Sequence, residues 1–301
     1  MASGKNCQWF PILKKKDKLY FIAKAGIKRA VYELKNEPET GCTALNNGWN
    51  QNRSAFNNIE VGEGNFNVVI TDEESKININ TQSKPVISKI FQLTGRVDPE
   101  EADDLAASII DWRSEGNIAS PGGAKDSYYT NLANPYPTKK KNFEVLDELL
   151  LVKGMNRQIF DKAAPYITIY GLGKVNINTA GKEVLLALGV EEETVKKILA
   201  FRRGPDDIEG TADDRNFKNS SEIIPNLSQA YSLDISEMPQ LSKLVKENTF
   251  CIQSVNFMIK SRAKLKSRQF YTEITCLFLK NTGMAPKGRE IYYWRQVERA
   301  A

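Results

Sequence analysis

Two six-residue runs, KININT at Lys76–Thr81 and KVNINT at Lys174–Thr179, differ at a single position. A chain that repeats a segment carries one supersecondary unit more than once, and each copy must bury its apolar side against a neighbour. The later copy, Leu172–Gly204, reads LGKVNINTAGKEVLLALGVEEETVKKILAFRRG. Its short β-branched run ends in Asn178 and Thr179, a pair suited to starting a helix. Val184, Leu185 and Leu188, then Val195, Ile198 and Leu199, follow at helical spacing, with Gly189 and Val190 between them. This pattern predicts two short helices closed by a tight hairpin. Arg202, Arg203 and Gly204 form a suitable helix end.

The earlier copy runs KININTQSKPVISKIFQLTG into DPEEADDLAASIIDWRSEG, one helix and then a second, capped by Asp98 with Pro99 at its first position. Trp112–Arg113 ends that helix as Phe201–Arg202 ends its counterpart. After the loop Ser114–Lys141, NFEVLDELLLVKGMNRQIFDKAAPYITIYG predicts a helix pair running into a short strand. The second copy has the acidic loop GPDDIEGTADDR and then NFKNSSEIIPNL, which aligns Phe217 and Glu222 with Phe143 and Glu148. TFCIQ at 249–253 closes the second copy as YITIY at 166–170 closes the first. The expectation is an all-helical unit of two helix-hairpin-helix-like (SAM-like) repeats, about 75–171 and 172–253.

Outside the repeats the period changes. Ile22, Ala25, Ile27, Ala30, Val31 and Leu34 form one apolar stripe over Leu19–Leu34, an amphipathic helix. Residues 36–58 read as a loop and Asn65–Thr71 as a strand. From Thr249 onward the alternation has period two and predicts three antiparallel strands joined by basic or glycine-containing turns. Those strands need a further strand and a covering helix, which the start of the chain supplies. At 301 residues there is room for two modest domains. The fold class is α+β: residues 14–74 and 248–301 form a helix packed on an antiparallel sheet, interrupted by an inserted helical domain at 75–247.

Composition excludes several chemistries. The chain has no histidine, which removes histidine triads, imidazole metal sites and a histidine base. Cys7, Cys42, Cys251 and Cys276 form no CxxC pair; Cys251 and Cys276 fall in strand-like segments, as buried thiols or one bridge. A net charge of +5 is too mild to argue for nucleic acid. No run reaches the roughly 18 apolar residues of a membrane span. There is no P-loop, GxGxxG or nucleophile-elbow motif. Asp103, Asp104 and Asp111 read as a solvated face with capping roles rather than an acid–base set. The chain is expected not to be an enzyme.

Helix-hairpin-helix units can hold a DNA phosphate on the amides of a Gly-x-Gly hairpin. Here the hairpins read LGVEEETVKK and LTGRVDPEEADD, so Glu191, Glu192 and Glu193 stand where a phosphate would sit. A DNA-binding or DNA-uptake protein is the alternative function, and the acid argues against it: no nucleic acid is expected. Asp206, Asp207, Glu209, Thr211, Asp213 and Asp214 crowd one turning loop, and such oxygen ligands suit calcium. The loop lacks EF-hand spacing, and its bland alternative is a solvated acidic surface. The first repeat's equivalent loop offers only Asp126 nearby. Tyr128, Tyr129, Tyr136, Tyr166 and Tyr170 read as filling the seam between repeats rather than as a contact patch.

The segments AKAGIKRAVYEL, EADDLAASIIDWRSEGN, GAKDSYY, LDELLLVKGM, PYITIYG, KVNINTA and GPDDIEGTADDR occur in this order. Together they resemble the K-type minor pseudopilin family of the bacterial type II (general) secretion pathway, GspK, over roughly residues 19–301. The resemblance implies a pseudopilin α/β fold with a large inserted helical domain, without enzymatic activity. It implies a place at the tip of the secretion pseudopilus with I- and J-type minor pseudopilins and other pseudopilus subunits. It also implies calcium, with the acids of 206–214 as ligands, and a location at the inner membrane facing the periplasm. The family begins with a prepilin leader and hydrophobic helix, of which only the part from Leu19 is recognisable here. Met1–Lys18 shows no leader pattern and no span, so membrane contact is expected only if a hydrophobic N-terminus is missing from this chain. By analogy with pilin-like cores, the apolar stripe of the first helix is a partner surface.

Overall fold

The computed structural model describes residues 9–38, 41–51, 53–234, 237–266, 270–280 and 291–300. The strands, in chain order, are β1 (Ile59–Val61), β2 (Gly64–Asp72), β3 (Ile77–Asn78), β4 (Ile167–Thr168), β5 (Val175–Asn176), β6 (Phe250–Cys251), β7 (Asn256–Leu265), β8 (Phe270–Leu279) and β9 (Ile291–Ala300). The chain divides into two compact units. The first is Met1–Asp72, Gly210–Ala212 and Ser254–Ala301; the second is Glu73–Glu209 and Asp213–Gln253.

In the first unit a helix, α1 (Trp9–Lys35), packs on a five-stranded antiparallel sheet of order β1-β2-β7-β8-β9. The alternation read from Thr249 onward becomes burial on one face: along β7, Phe257, Ile259, Ala263 and Leu265 are buried while Lys260, Arg262 and Lys264 are exposed. From α1, Leu19, Ile22, Ala23, Ile27, Ala30 and Leu34 meet Phe66, Val68, Ile259, Ile274, Cys276 and Phe278 in one core. The apolar stripe of the helix therefore faces the chain's own sheet. This corrects the expectation that the stripe is a partner surface; what α1 leaves exposed includes Phe21 and Tyr32. The predicted loop 36–58 contains two short helices, α2 (Gly48–Gln51) and α3 (Arg53–Phe56). The Glu37 carboxylate caps the first of them, accepting from the amides of Gly48 and Trp49.

The second unit is not all-helical. Besides helices α4 (Lys84–Ile90), α5 (Pro99–Arg113), α6 (Asp126–Tyr129), α7 (Arg157–Ala163), α8 (Lys182–Ala187), α9 (Glu192–Arg202), α10 (Ile223–Ala230) and α11 (Glu237–Lys246), it holds two parallel strand pairs. β3 pairs with β4 (Ile77 with Ile167), and β5 with β6 (Val175 with Phe250). The segments read as opening and closing each copy are thus hydrogen-bonded to one another. A pairing spaced by 75–90 residues leaves no local periodicity, so helical spacing dominates the sequence signal.

The same contacts occur twice. The Asn80 side chain accepts from the Phe143 amide and donates to the Phe143 carbonyl; Asn178 does the same with Phe217. Arg113 donates to the Ile79 and Gln82 carbonyls, and Arg202 to those of Ile177 and Ala180. Asn178 and Thr179 do not start a helix: α8 begins at Lys182 behind Gly181, and the Asn178 side chain is engaged in this long-range clamp. Asp98 stands at the predicted cap of α5 but makes no side-chain cap bond.

Tyr129 is fully buried between Trp112 and Tyr136, at ring-centroid distances of 5.2 and 5.5 Å, so these aromatics fill the first copy rather than a seam between copies. Cys276 is a free thiol buried in the first unit's core, so no bridge joins it to Cys251. Cys7 and the turns at 267–269 and 281–290 lie outside the described residues. No described helix is long and apolar enough to cross a membrane.

Candidate metal centre

The acidic loop leaves α9 through two arginines with different tasks. Arg202 is buried, and its guanidinium bridges the Ile177 and Ala180 carbonyls to the Glu209 carboxylate. Burial lowers the Arg202 pKa and Glu209 opposes that shift. Arg203, one turn from Asp207, pairs with it at 3.2 Å. Two of the six acidic-loop candidates, Asp207 and Glu209, are therefore partners of the helix-terminal arginines.

The backbone then folds back tightly. Gly204 has φ of 64°, and a Cβ at that position would collide with the Asp213 carbonyl oxygen. The Arg215 amide donates to the Arg202 carbonyl at 3.0 Å and closes the loop. Within it, Asp206 accepts from the Ile208 amide at 2.8 Å, while its own amide donates to Asp213 Oδ2 at 3.1 Å. Glycine at 204 permits this approach because it lacks a Cβ and tolerates positive φ.

The result brings Asp206, Asp213 and Asp214 together. One carboxylate oxygen from each lies within 4.8 Å of the others; Asp206 and Asp213 are exposed and Asp214 is half-buried. Two oxygens on one calcium at about 2.4 Å can stand at most about 4.8 Å apart, so the spacing suits a shared ion. All three donors are hard oxygens, the set that calcium and magnesium prefer over softer metals. Thr211 belongs to the stretch Gly210–Ala212 that groups with the first unit.

The other candidates resolve differently. Asp126 accepts from the amide and hydroxyl of Thr138 and pairs with Lys140 at 2.6 Å, which holds its carboxyl far below the usual range. Asp111 is buried and accepts from the amide and hydroxyl of Ser120, while Asp103 and Asp104 are exposed. Glu191 stands at the N-cap of α9 without a side-chain cap bond, and Glu192 and Glu193 occupy the first turn, paired with Lys182 and Lys196. That helix end presents carboxylates where a phosphate would need amides. Spacing in the sequence marks the buried Arg202 only as a helix end; its repetition as Arg113, each the last residue of its helix, is the signal of a shared role.

Comparison with known proteins agrees with the family resemblance. Residues 64–172 match the family model described as Type II secretion system (T2SS), protein K. The chain is 27% identical over 229 residues to type II secretion system protein K of Aeromonas hydrophila, covering 67% of this chain and 65% of that protein. It is 25% identical over 188 residues to the protein of the same name from Pectobacterium carotovorum subsp. carotovorum, covering 56% of each. The chain thus spans between half and two thirds of the length of these relatives. Its fold is similar to a chain of the GspK-GspI-GspJ complex from the enterotoxigenic Escherichia coli Type 2 Secretion System, with a TM-score of 0.71 and 16% identity, covering 95% of this chain and 98% of that one.

Proposed function

We propose that this chain, a relative of type II secretion system protein K, is a non-enzymatic minor pseudopilin. In this reading it stands at the tip of the secretion pseudopilus, assembles with I- and J-type minor pseudopilins, and acts on the periplasmic side of the inner membrane in support of protein secretion. The observation that carries the reading is the family-model match at residues 64–172. The fold likeness over 95% of the chain is consistent with it. Residues 75–247 are read as a domain inserted into the pseudopilin fold, built from two helix-hairpin-helix-like repeats. The DNA-binding alternative has no support in the carboxylate-fronted hairpins.

The test is co-purification of this chain with I- and J-type minor pseudopilins. A stable complex is expected, and the chain eluting alone at micromolar concentrations of all three would overturn the assignment.

Calcium belongs to the same reading. Asp206, Asp213 and Asp214 would hold the ion, and its charge would offset repulsion among three carboxylates converging within 4.8 Å. An ion bound only by the folded state adds about 2.7 kcal/mol at a hundredfold excess over its Kd. Calcium is therefore expected to raise the melting temperature and a chelator to lower it, with both effects lost in Asp213→Asn/Asp214→Asn. An unchanged melting temperature in millimolar calcium rules the site out.

A further inference from the structure

A second concentration of oxygen atoms lies in the first copy, at the C-terminal end of α5, and it encloses a cation of the chain's own. Lys125 is 1% exposed. Its ammonium donates to the Asp111 carbonyl at 2.6 Å, the Ser114 carbonyl at 2.6 Å, the Ser114 hydroxyl at 3.1 Å and the Glu115 carbonyl at 3.3 Å. The acceptors are neutral, and three are carbonyls at or just past the helix end, where the macrodipole is negative. An ammonium has only three protons, so four oxygens at this range form a cage around a centre rather than a set of matched pairs. The loop that closes the cage is otherwise exposed from Glu115 to Ser120 and ends at the buried Ala124. Asp111 anchors that loop by accepting from the Ser120 amide and hydroxyl.

We propose that this cage is a cation-binding site filled by Lys125, and that it accepts a free primary ammonium ion when the side chain is cut back. Burying an ammonium is costly unless its donors are satisfied, and here the oxygens of 111–115 replace its water. The cation in turn satisfies carbonyls that a helix end leaves unpaired. The first copy therefore orders its post-helix loop without an external ion. This inference stands apart from the calcium assignment, since it concerns other residues and the other loop.

The test compares Lys125→Met, Lys125→Arg and Lys125→Ala in the full chain. It uses hydrogen exchange of amides 114–124 and the melting temperature as readouts. Lys125→Met keeps the aliphatic bulk but no charge, and the loop amides should exchange about ten- to a hundredfold faster than in the parent. Lys125→Arg should stay close to the parent. In Lys125→Ala, added propylammonium should restore protection and melting temperature, whereas 1-propanol, of similar shape and neutral, should not. Equal protection in Lys125→Met and the parent overturns the proposal, as does equal rescue by propanol. If Lys125→Ala yields no folded protein, the Met and Arg variants decide: indistinguishable loop exchange in those two overturns it.

Discussion

At the scale of single residues, stability in the second unit depends on polar side chains that tie distant backbone together. Arg202 makes charge-assisted bonds to two carbonyls and to Glu209 from a fully buried position. Arg202→Met leaves those carbonyls without a donor and should cost about 3 kcal/mol, read as a lower urea midpoint. Glu209 is one-third exposed at its side chain, so Glu209→Gln should cost about 1 kcal/mol or less after solvent screening. Similar losses for the two variants would mean that the ion pair, rather than the carbonyl clamp, carries the effect. Burial also pushes the Cys276 thiol from 9.0 to about 12 and the Tyr129 phenol from 10.0 to about 12. Both groups keep their protons in the folded state after the unfolded chain has released them. Their contribution is fully present below pH 9 and is lost as pH rises toward 12. Urea midpoints should fall over that range, and less steeply in Cys276→Ala.

At the scale of elements, the contact between α1 and its sheet is set by one glycine. A Cβ at Gly26 would collide with Ser261 Oγ and come within 3.0 Å of Phe66 and Val68. Alanine favours helix over glycine by about 1 kcal/mol, but overpacking costs about 1–3 kcal/mol. Gly26→Ala should therefore be destabilising on balance. Ser261 Oγ is buried with no hydrogen-bond partner, so removing it sacrifices no bond. The double variant Gly26→Ala/Ser261→Ala should recover stability, and a thermal melt of the four proteins in the cycle measures the coupling. Strict additivity would show that the close approach is not what resists the alanine.

The acidic loop belongs to this scale as well. Gly204→Ala meets both a positive φ and the Asp213 carbonyl. It should displace Asp213 from Asp206 and abolish any calcium-dependent shift in melting temperature while the rest of the fold stays intact, checked by circular dichroism.

At the scale of the whole molecule, each unit has its own hydrophobic core. One core runs from Leu19 to Phe278 through the sheet, and the other from Ile77 to Phe250. The ends of the second unit are held within it: Glu73 accepts from Thr168 and Lys76, and Phe250 pairs with Val175. A fragment of residues 73–253 should therefore fold alone, with a cooperative melt and a helical circular-dichroism spectrum. A broad, non-cooperative melt would mean that its core depends on the remainder of the chain.

Elements with a local period were legible in the chain alone. The stripe Leu19–Leu34 is helical, the alternation at 256–265 is a strand with one buried face, and the runs around Val184 and Ile198 are a helical hairpin. Local chemistry also marked 206–214 as acidic and turning, because both properties are written in adjacent residues. Folding decided which acids converge: Asp206, Asp213 and Asp214 approach one another, while Asp207 and Glu209 are drawn off by the arginines that end α9. Long-range pairing likewise made β3 a partner of β4, turned Asn178 from a helix start into a clamp on Phe217, and directed the apolar face of α1 inward. The physical reason is common to all of these. Periodicity and composition encode what a residue can bury or donate, but the identity of the partner is a property of three-dimensional proximity between residues far apart in the chain.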